Sequence, residues 1–357
     1  MGVRARSFEA RLSDEFRIQV AYRCSNKIQA IWDFFRLLIR VRPDVCYVFD
    51  MAFSAVIAAG LYRLISRCRC VVDTGDAIYE LSRNSGDRGR FGVLLTKVLE
   101  QVGFGISDHV VVRSHPHQEL LAQKGIAATA IPDGVDLRQF SPQHQPELRR
   151  QYQLDGFTVV GLLGSLIWNS RWQMCYGLEL IEAIDRLRDL PIKGVIIGDG
   201  SGLPELKRRC AAAGLQDRIL FLGRVPYDDL PAYLNLMDIC LSTQTNDAAG
   251  QVRTTGKLPL YLACGRFVLA SAVGEAARVL PQAMLVAYNG MKDEEYSARL
   301  ADRIRELMVR PANLEASAVA VGIARQHFDY DVLAKRVRNE LRSLLPGRAV
   351  VPQPTQS

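Results

Sequence analysis

The chain has 357 residues, 48% hydrophobic and 23% charged, a balance that excludes a disordered protein and is long enough for two domains. Its formal net charge of +7 is spread over both halves without a dense Lys/Arg tract; this gives little support to nucleic-acid binding and suits an anionic membrane surface or phosphorylated small molecules. Eight cysteines sit mostly in apolar runs such as DVCYVFD and DICLST, the usage of buried thiols in a reducing compartment; CRC, with Cys68 and Cys70, lacks the second half of a zinc site.

In chain order, RARSFEARLSDE predicts a helix and RIQVAYR a strand. The segment 28–42, IQAIWDFFRLLIRVR, is amphipathic and basic, and suits a helix that covers a sheet or one that lies on a membrane. DVCYVFD predicts a strand. MAFSAVIAAGLYRLI is too short to span a bilayer and contains Arg63, so it reads as a buried helix. No secretory leader is visible. CRCVVDTGD is a strand, GVLLTKVLEQVGFG a helix, HVVVRS a strand and HPHQELLAQKG a helix. IPDGVDLRQFSPQHQP, with Asp-Gly and two prolines, then reads as turn and linker at about 132–150.

Alternation restarts after it. FTVVGLLGS, IKGVIIGDGSG, RILFLGRVP, ICLSTQ, RFVLAS and AMLVAYN predict strands, separated by the helices YGLELIEAIDRL, LPELKRRCAAAG, DDLPAYLNLMD and KLPLYLACG. Helices at about 294–309 and 331–345 follow. Short β-rich runs alternating with helical ones imply parallel sheets made of βαβ units. The expected fold is therefore α/β: two Rossmann-like domains facing a cleft, with ligands at the carboxyl ends of the strands. The amino-terminal domain opens on a helix, without the first strand that is central in such sheets. Either it is built differently or the given start lies downstream of the true one.

Two stretches suggest phosphate chemistry. VIIGDGSGLPELKRR joins a strand end, Gly198, Gly200 and Gly202, and a helix start; a tight connection and a ligand contact both explain it. In RTTGKLPLYLACG, Thr254, Thr255 and Gly256 can cap a helix that starts at Lys257, with Pro259 in its first turn. Arg253 and Lys257 flank that end and could hold a diphosphate without a metal. On the amino-terminal side, Asp73, Gly75 and Asp76 follow the strand VVD, and His115 and His117 follow HVVV.

The second half resembles the retaining glycosyltransferases of family four (glycosyl transferases group 1), which have the GT-B fold. The resemblance is carried by IPDGVDLRQFSP, by the run from VIIGDGSG to DICLS, and by KLPLYLACGRFVLAS. It implies an acceptor-side domain at 1–135, a nucleotide-sugar-binding domain at 136–330, a terminal helix at 331–346 that returns to the first domain, and a disordered tail at 347–357. It implies transfer of a sugar from a nucleotide-sugar donor to a glycan or lipid-linked acceptor, with retention and without a metal or other cofactor, in surface polysaccharide or glycoconjugate assembly. A cytoplasmic enzyme, peripheral at the inner face of a membrane, is the matching location.

The residues read above and the resemblance together give candidate donor contacts at Gly164, Ser165, Arg171, Gly198, Gly200, Gly223, Arg224, Val225, Thr254, Thr255, Gly256 and Leu260. The candidates for catalytic roles are Asp76, Arg253 and Lys257, and for acceptor-side roles Asp73, Gly75 and His115. The family often has two glutamates in an E-x7-E arrangement; here those positions hold Val252 and Leu260. An Arg often follows the glycine of the first donor-domain strand and a Lys often opens the next helix; Ser165 and Tyr176 stand there. Arg171, Arg253 and Lys257 are the candidate replacements. Two other readings share these residues: a non-catalytic nucleotide-sugar-binding homologue, and a basic peripheral-membrane or nucleic-acid-binding scaffold.

Overall fold

The computed structural model describes residues 2–85, 89–309 and 317–345, and the tail 347–357 lies outside them. The chain divides into two units: Met1–Gly134 with Val252–Thr254 and Tyr330–Ser357, and Val135–Gln251 with Thr255–Asp329.

The first unit runs α1 (Val3–Leu12), α2 (Lys27–Val41), β1 (Val45–Val48), α3 (Phe53–Arg63), β2 (Arg69–Thr74), α4 (Ile78–Ser85), α5 (Arg90–Ile106), β3 (His109–Val112), α6 (His115–Gln123) and β4 (Ala128–Ala130). Its strands form a parallel sheet in the order β1-β2-β3-β4. Side chains alternate along each strand, so β2 and β3 bury both faces. Val71 and Val111 meet Phe8 and Leu12 of α1 on one face, while Cys70 and Val72 meet Val56 and Ala59 of α3 on the other. The terminal helix (Tyr330–Leu344) packs on the α1 face through Tyr330, Leu333 and Val337. Each such apolar side chain contributes about 1.5–3 kcal/mol when fully buried. Ion pairs Arg338–Asp14 at 2.7 Å and Arg342–Glu15 at 2.6 Å line the rim of that contact.

The strand expected from RIQVAYR does not form: residues 17–24 carry no regular structure. An extended segment needs a partner ladder, and no strand pairs with this one among the described residues. Ile18 instead packs singly beside the α1 core.

The second unit runs α7 (Pro146–Gln151), β5 (Thr158–Leu163), α8 (Leu178–Arg186), β6 (Ile192–Ile197), α9 (Leu203–Ala212), β7 (Ile219–Gly223), α10 (Leu230–Leu234), β8 (Ile239–Ser242), α11 (Ala248–Val252), α12 (Lys257–Ala263), β9 (Phe267–Ser271), α13 (Gly274–Val279), β10 (Leu285–Val286), α14 (Tyr296–Val309) and α15 (Ser317–Ile323). Its parallel sheet has the order β10-β9-β8-β5-β6-β7. The segment read as a linker is built into this unit. Val135 and Phe140 are fully buried in its core, the Phe140 ring lies 5.3 Å from that of Tyr227, and Pro146 opens α7. Turn residues at 132–134 and 141–145 mask an apolar anchor that only packing reveals.

Candidate functional site

Strand order in the second unit reverses between β5 and β8. β5 leads to β6 and β7 on one side, β8 to β9 and β10 on the other. Connections leaving the carboxyl ends of two such strands diverge and open a crevice, the usual ligand position of open parallel sheets.

Lys257, the first residue of α12, is delivered to this edge. Its Nζ lies 4.9 Å from the centroid of the Tyr176 ring. A Cβ built on Gly164, just past β5, would stand 3.7 Å from the same Nζ. Glu179, in the first turn of α8, accepts a hydrogen bond from the Gly177 N–H at 3.0 Å and another from the Thr243 hydroxyl just past β8. Burial raises the Glu179 carboxyl above its ordinary value, while those hydrogen bonds and the Lys257 charge draw it back. Tyr261 fixes α12 against β5: its buried hydroxyl accepts the Leu163 N–H at 2.5 Å. Thr255 Oγ1 and Ser242 Oγ lie 3.0 Å apart, which secures the entry to α12. The result is a half-buried ammonium at the reversal of the sheet, met by an aromatic face and by a strand end that carries no side chain.

The threonines do not cap α12 as expected. Gly256 is its N-cap, without a side-chain hydrogen bond, and Thr254 Oγ1 is buried without a partner. Leu260 was expected as a donor contact. It is 6% exposed and packed in the core, because α12 turns its 260 side inward. Gly198 and Gly200 are required by the fold itself. Both have positive φ (142° and 155°), and a Cβ on them would stand 1.9 Å from the Gly164 carbonyl oxygen and 2.4 Å from that of Leu166. They let the loop after β6 lie on the loop after β5. The Gly198 N–H donates to the Gly223 carbonyl at 2.8 Å, which ties in the end of β7. Arg224 and Ser165 are exposed, and Val225 packs partly against the core. Arg171 is exposed, in the loop closed by the Asn169–Met174 bridge, with its guanidinium 5.5 Å from the Trp172 ring centroid.

In the first unit, Asp73, expected on the acceptor side, is 0% exposed; it binds Arg4 at 2.8 Å, accepts from the Tyr47 hydroxyl at 2.9 Å and lies 3.5 Å from Arg113. Arg4 further donates to the carbonyls of Pro132 at 2.6 Å and Ile131 at 2.9 Å. Its desolvation is outweighed by Asp73 and Asp133, which hold its pKa above the ordinary value. Gly75 is buried, and a Cβ there would stand 2.7 Å from the Arg113 side chain, so its lack of a side chain makes room for that arginine. Asp76 pairs with Arg253 at 3.2 Å; both stay partly exposed, at 38% and 44%. His115 opens α6 half-exposed, whereas His117 is buried. Ser114 caps α6 at the His117 N–H and donates to the Val252 carbonyl at 2.5 Å.

Sequence reasoning placed Lys257 but read Tyr176 only as a missing lysine, and it passed over Glu179 and Thr243. The only local signal for Glu179 was a carboxylate two residues past a glycine, ordinary at any helix start.

Among the described residues no helix is long and apolar enough to cross a membrane, and no group of three or more His, Cys, Asp or Glu could hold a metal ion. The sequence pattern of the family described as Glycosyl transferases group 1 matches residues 158–309. The Escherichia coli protein WcaI, named as a glycosyl transferase of colanic acid biosynthesis, is 27% identical over 88% of this chain and 78% of its own. A GDP-mannose-dependent alpha-(1-6)-phosphatidylinositol monomannoside mannosyltransferase of Mycobacterium tuberculosis is 28% identical over 69% of this chain. The match spans 64% of that mycobacterial protein. Among solved structures, Anabaena HepE in complex with UDP and glucose superposes with a TM-score of 0.71 at 19% identity, over 90% of this chain and 84% of HepE. That likeness gives the fold, which is GT-B.

Proposed function

We propose, from the match of residues 158–309 to the glycosyl transferases of group 1, that the protein moves a sugar from a nucleotide-sugar to a glycan or lipid-linked acceptor. The observation that carries the reading is Lys257 at the sheet's reversal, its ammonium over Tyr176 and beside Gly164. In such a transfer the bond between the anomeric carbon and the diphosphate oxygen breaks while an acceptor oxygen bonds to that carbon. The acceptor hydroxyl loses its proton and the nucleoside diphosphate leaves. Charge grows on the diphosphate, and a fixed cation there lowers the barrier. Lys257 is that cation in our reading. Side-chain charge then does the work that a metal does elsewhere. Asp76 and Arg253 are the first unit's candidates for contact with the sugar or the acceptor hydroxyl. We further propose retention at the anomeric carbon and a place in surface polysaccharide or glycoconjugate assembly, in keeping with the names of the relatives.

A peripheral position on the inner face of a membrane fits α2 and α5. Ile28, Trp32 and Ile39 of α2, and Phe91, Leu94 and Val98 of α5, are exposed at helical spacing. Co-sedimentation with vesicles containing phosphatidylglycerol tests this, and equal recovery with neutral vesicles speaks against a role for charge.

The functional test is thermal stability with UDP, GDP, ADP and TDP and their sugars, in EDTA. A ligand at about a hundred times its Kd stabilises the fold by about 2.7 kcal/mol. One nucleotide should raise Tm and Lys257→Ala should remove the effect; the anomeric configuration of the product, read by NMR, then checks retention. No shift with any nucleotide overturns the reading. Binding without diphosphate release favours a non-catalytic homologue, which the buried Leu260 in place of a carboxylate also supports.

A further inference from the structure

We propose that Tyr176 is the positioning residue of the donor-phosphate cation: its ring holds the Lys257 ammonium beside Gly164, so that a charge carried by α12 serves an anion at the end of β5. The inference rests on the functional reading above. The ring centroid is 4.9 Å from Nζ, inside the range over which an aromatic face attracts a cation. A lysine side chain is long and loses rotamer freedom when fixed, so something must hold it if it is to be ready for an anion. A ring face attracts the ammonium without adding a formal charge of its own.

The surroundings agree. Gly164 presents no side chain to the ammonium, and a Cβ there would already be in van der Waals contact with Nζ. Glu179 attracts Lys257 electrostatically and is itself tied to Gly177 and Thr243, so its field is fixed in place. Tyr176 immediately precedes Gly177, so the turn that opens α8 sets the ring's position. The position where the resemblance expects a lysine thus carries the platform for a lysine that comes from elsewhere in the chain.

The experiment is a double-mutant cycle on Tyr176 and Lys257, read as the Kd of whichever of UDP, GDP, ADP and TDP stabilises the wild type, and as donor KM and kcat. Tyr176→Leu should raise Kd and KM about three- to thirty-fold, the range for loss of a cation–ring contact, and should lower kcat as well, because the displaced ammonium also meets the charge that grows on the diphosphate. Tyr176→Phe keeps the ring face and should stay within about twofold of the wild type. In a Lys257→Ala background Tyr176→Leu should change nothing further. If Lys257→Ala weakens binding and Tyr176→Leu does not, the positioning role fails and the functional reading stands. If Tyr176→Phe loses as much as Tyr176→Leu, the hydroxyl and not the ring is responsible, and the inference is overturned. If Lys257→Ala binds like the wild type, both fall. Melting temperature without nucleotide separates these outcomes from a folding defect, and Tyr176→Met provides a second ring-free variant if Tyr176→Leu does not fold.

Discussion

Both units carry cations near the carboxyl ends of parallel strands, and they treat them in opposite ways. In the first unit Arg4 is 6% exposed and saturated by Asp73, Asp133 and two backbone carbonyls. In the second, Lys257 stays half-buried, over a ring and beside a glycine. A buried charge costs several kcal/mol to desolvate and is tolerated only when its partners cancel it. Such a group is spent on the fold. Lys257, only half-buried, stays within reach of a ligand. The contrast separates the structural site from the proposed binding site more sharply than residue type does, since both units have Asp, Arg and Gly just past strand ends.

Removal of one partner from the buried network should give the largest effect. Asp73→Ala leaves Arg4 and Arg113 facing each other with less negative charge and should destabilise the first unit by about 3–5 kcal/mol, read as a drop in its urea midpoint. Lys257→Ala should cost the second unit less than about 1 kcal/mol, as for other partly exposed side chains, while nucleotide binding is lost. A large stability loss at Lys257 with unchanged binding would erase the distinction.

A second buried group sharpens the same point by titration. His117 is 2% exposed, its Nδ1 has no hydrogen-bond partner, and burial first, then the Lys124 charge, lowers its pKa from 6.5 to about 4. Folded His117 therefore stays neutral down to about pH 4, while the unfolded chain takes up a proton below 6.5. The stability it supports is complete above pH 6.5 and is lost as pH falls to about 4, a change on the order of 3 kcal/mol. Urea midpoints at several pH values should show this slope in the wild type and a flatter one in His117→Leu. Parallel slopes would mean that the imidazole takes up its proton at the same pH in the folded and unfolded chain.

These cases also show what the sequence could and could not disclose. Short continuous apolar runs in β2, β5 and β8, alternating with helical ones, and the restart of that alternation after residue 150 exposed two parallel α/β units. RIQVAYR had the composition of a strand but no partner to pair with, and pairing is a property of the whole sheet. At the site, KLP at a helix start drew notice to Lys257. The ring that holds it lies in a different segment, and no spacing rule links 176 to 257. Asp73 and Asp76 looked alike in VVDTGD, yet one faces the core and the other solvent, because strand alternation ends between them. Leu260 was expected at a ligand and is core, since a helix stripe decides its direction.

The glycine turn gives a smaller effect. Gly198→Ala asks for positive φ with a Cβ and for room where the Gly164 carbonyl oxygen stands 1.9 Å away. Backbone strain of this kind costs about 1–3 kcal/mol, so Tm should fall by a few degrees. The shift in the loop after β5 would also disturb Gly164, so nucleotide affinity should fall with it. A variant of unchanged Tm and lost affinity would assign Gly198 to direct ligand contact instead of loop packing.

The smallest stability effect is expected at Arg253 and Asp76. Their 3.2 Å ion pair joins groups 44% and 38% exposed, where water screens the attraction and the gain is about 0–1 kcal/mol. Arg253→Ala should therefore leave the urea midpoint almost unchanged. If Arg253 serves the transfer as proposed, the same variant should lower kcat much more than it lowers stability, by about tenfold or more for a charge-assisted contact worth 1.5–3 kcal/mol. Charge reversal of both partners, Asp76→Arg with Arg253→Asp, decides between the roles. It restores an ion pair, so a purely structural bridge would recover full activity, whereas groups that touch sugar or acceptor would not.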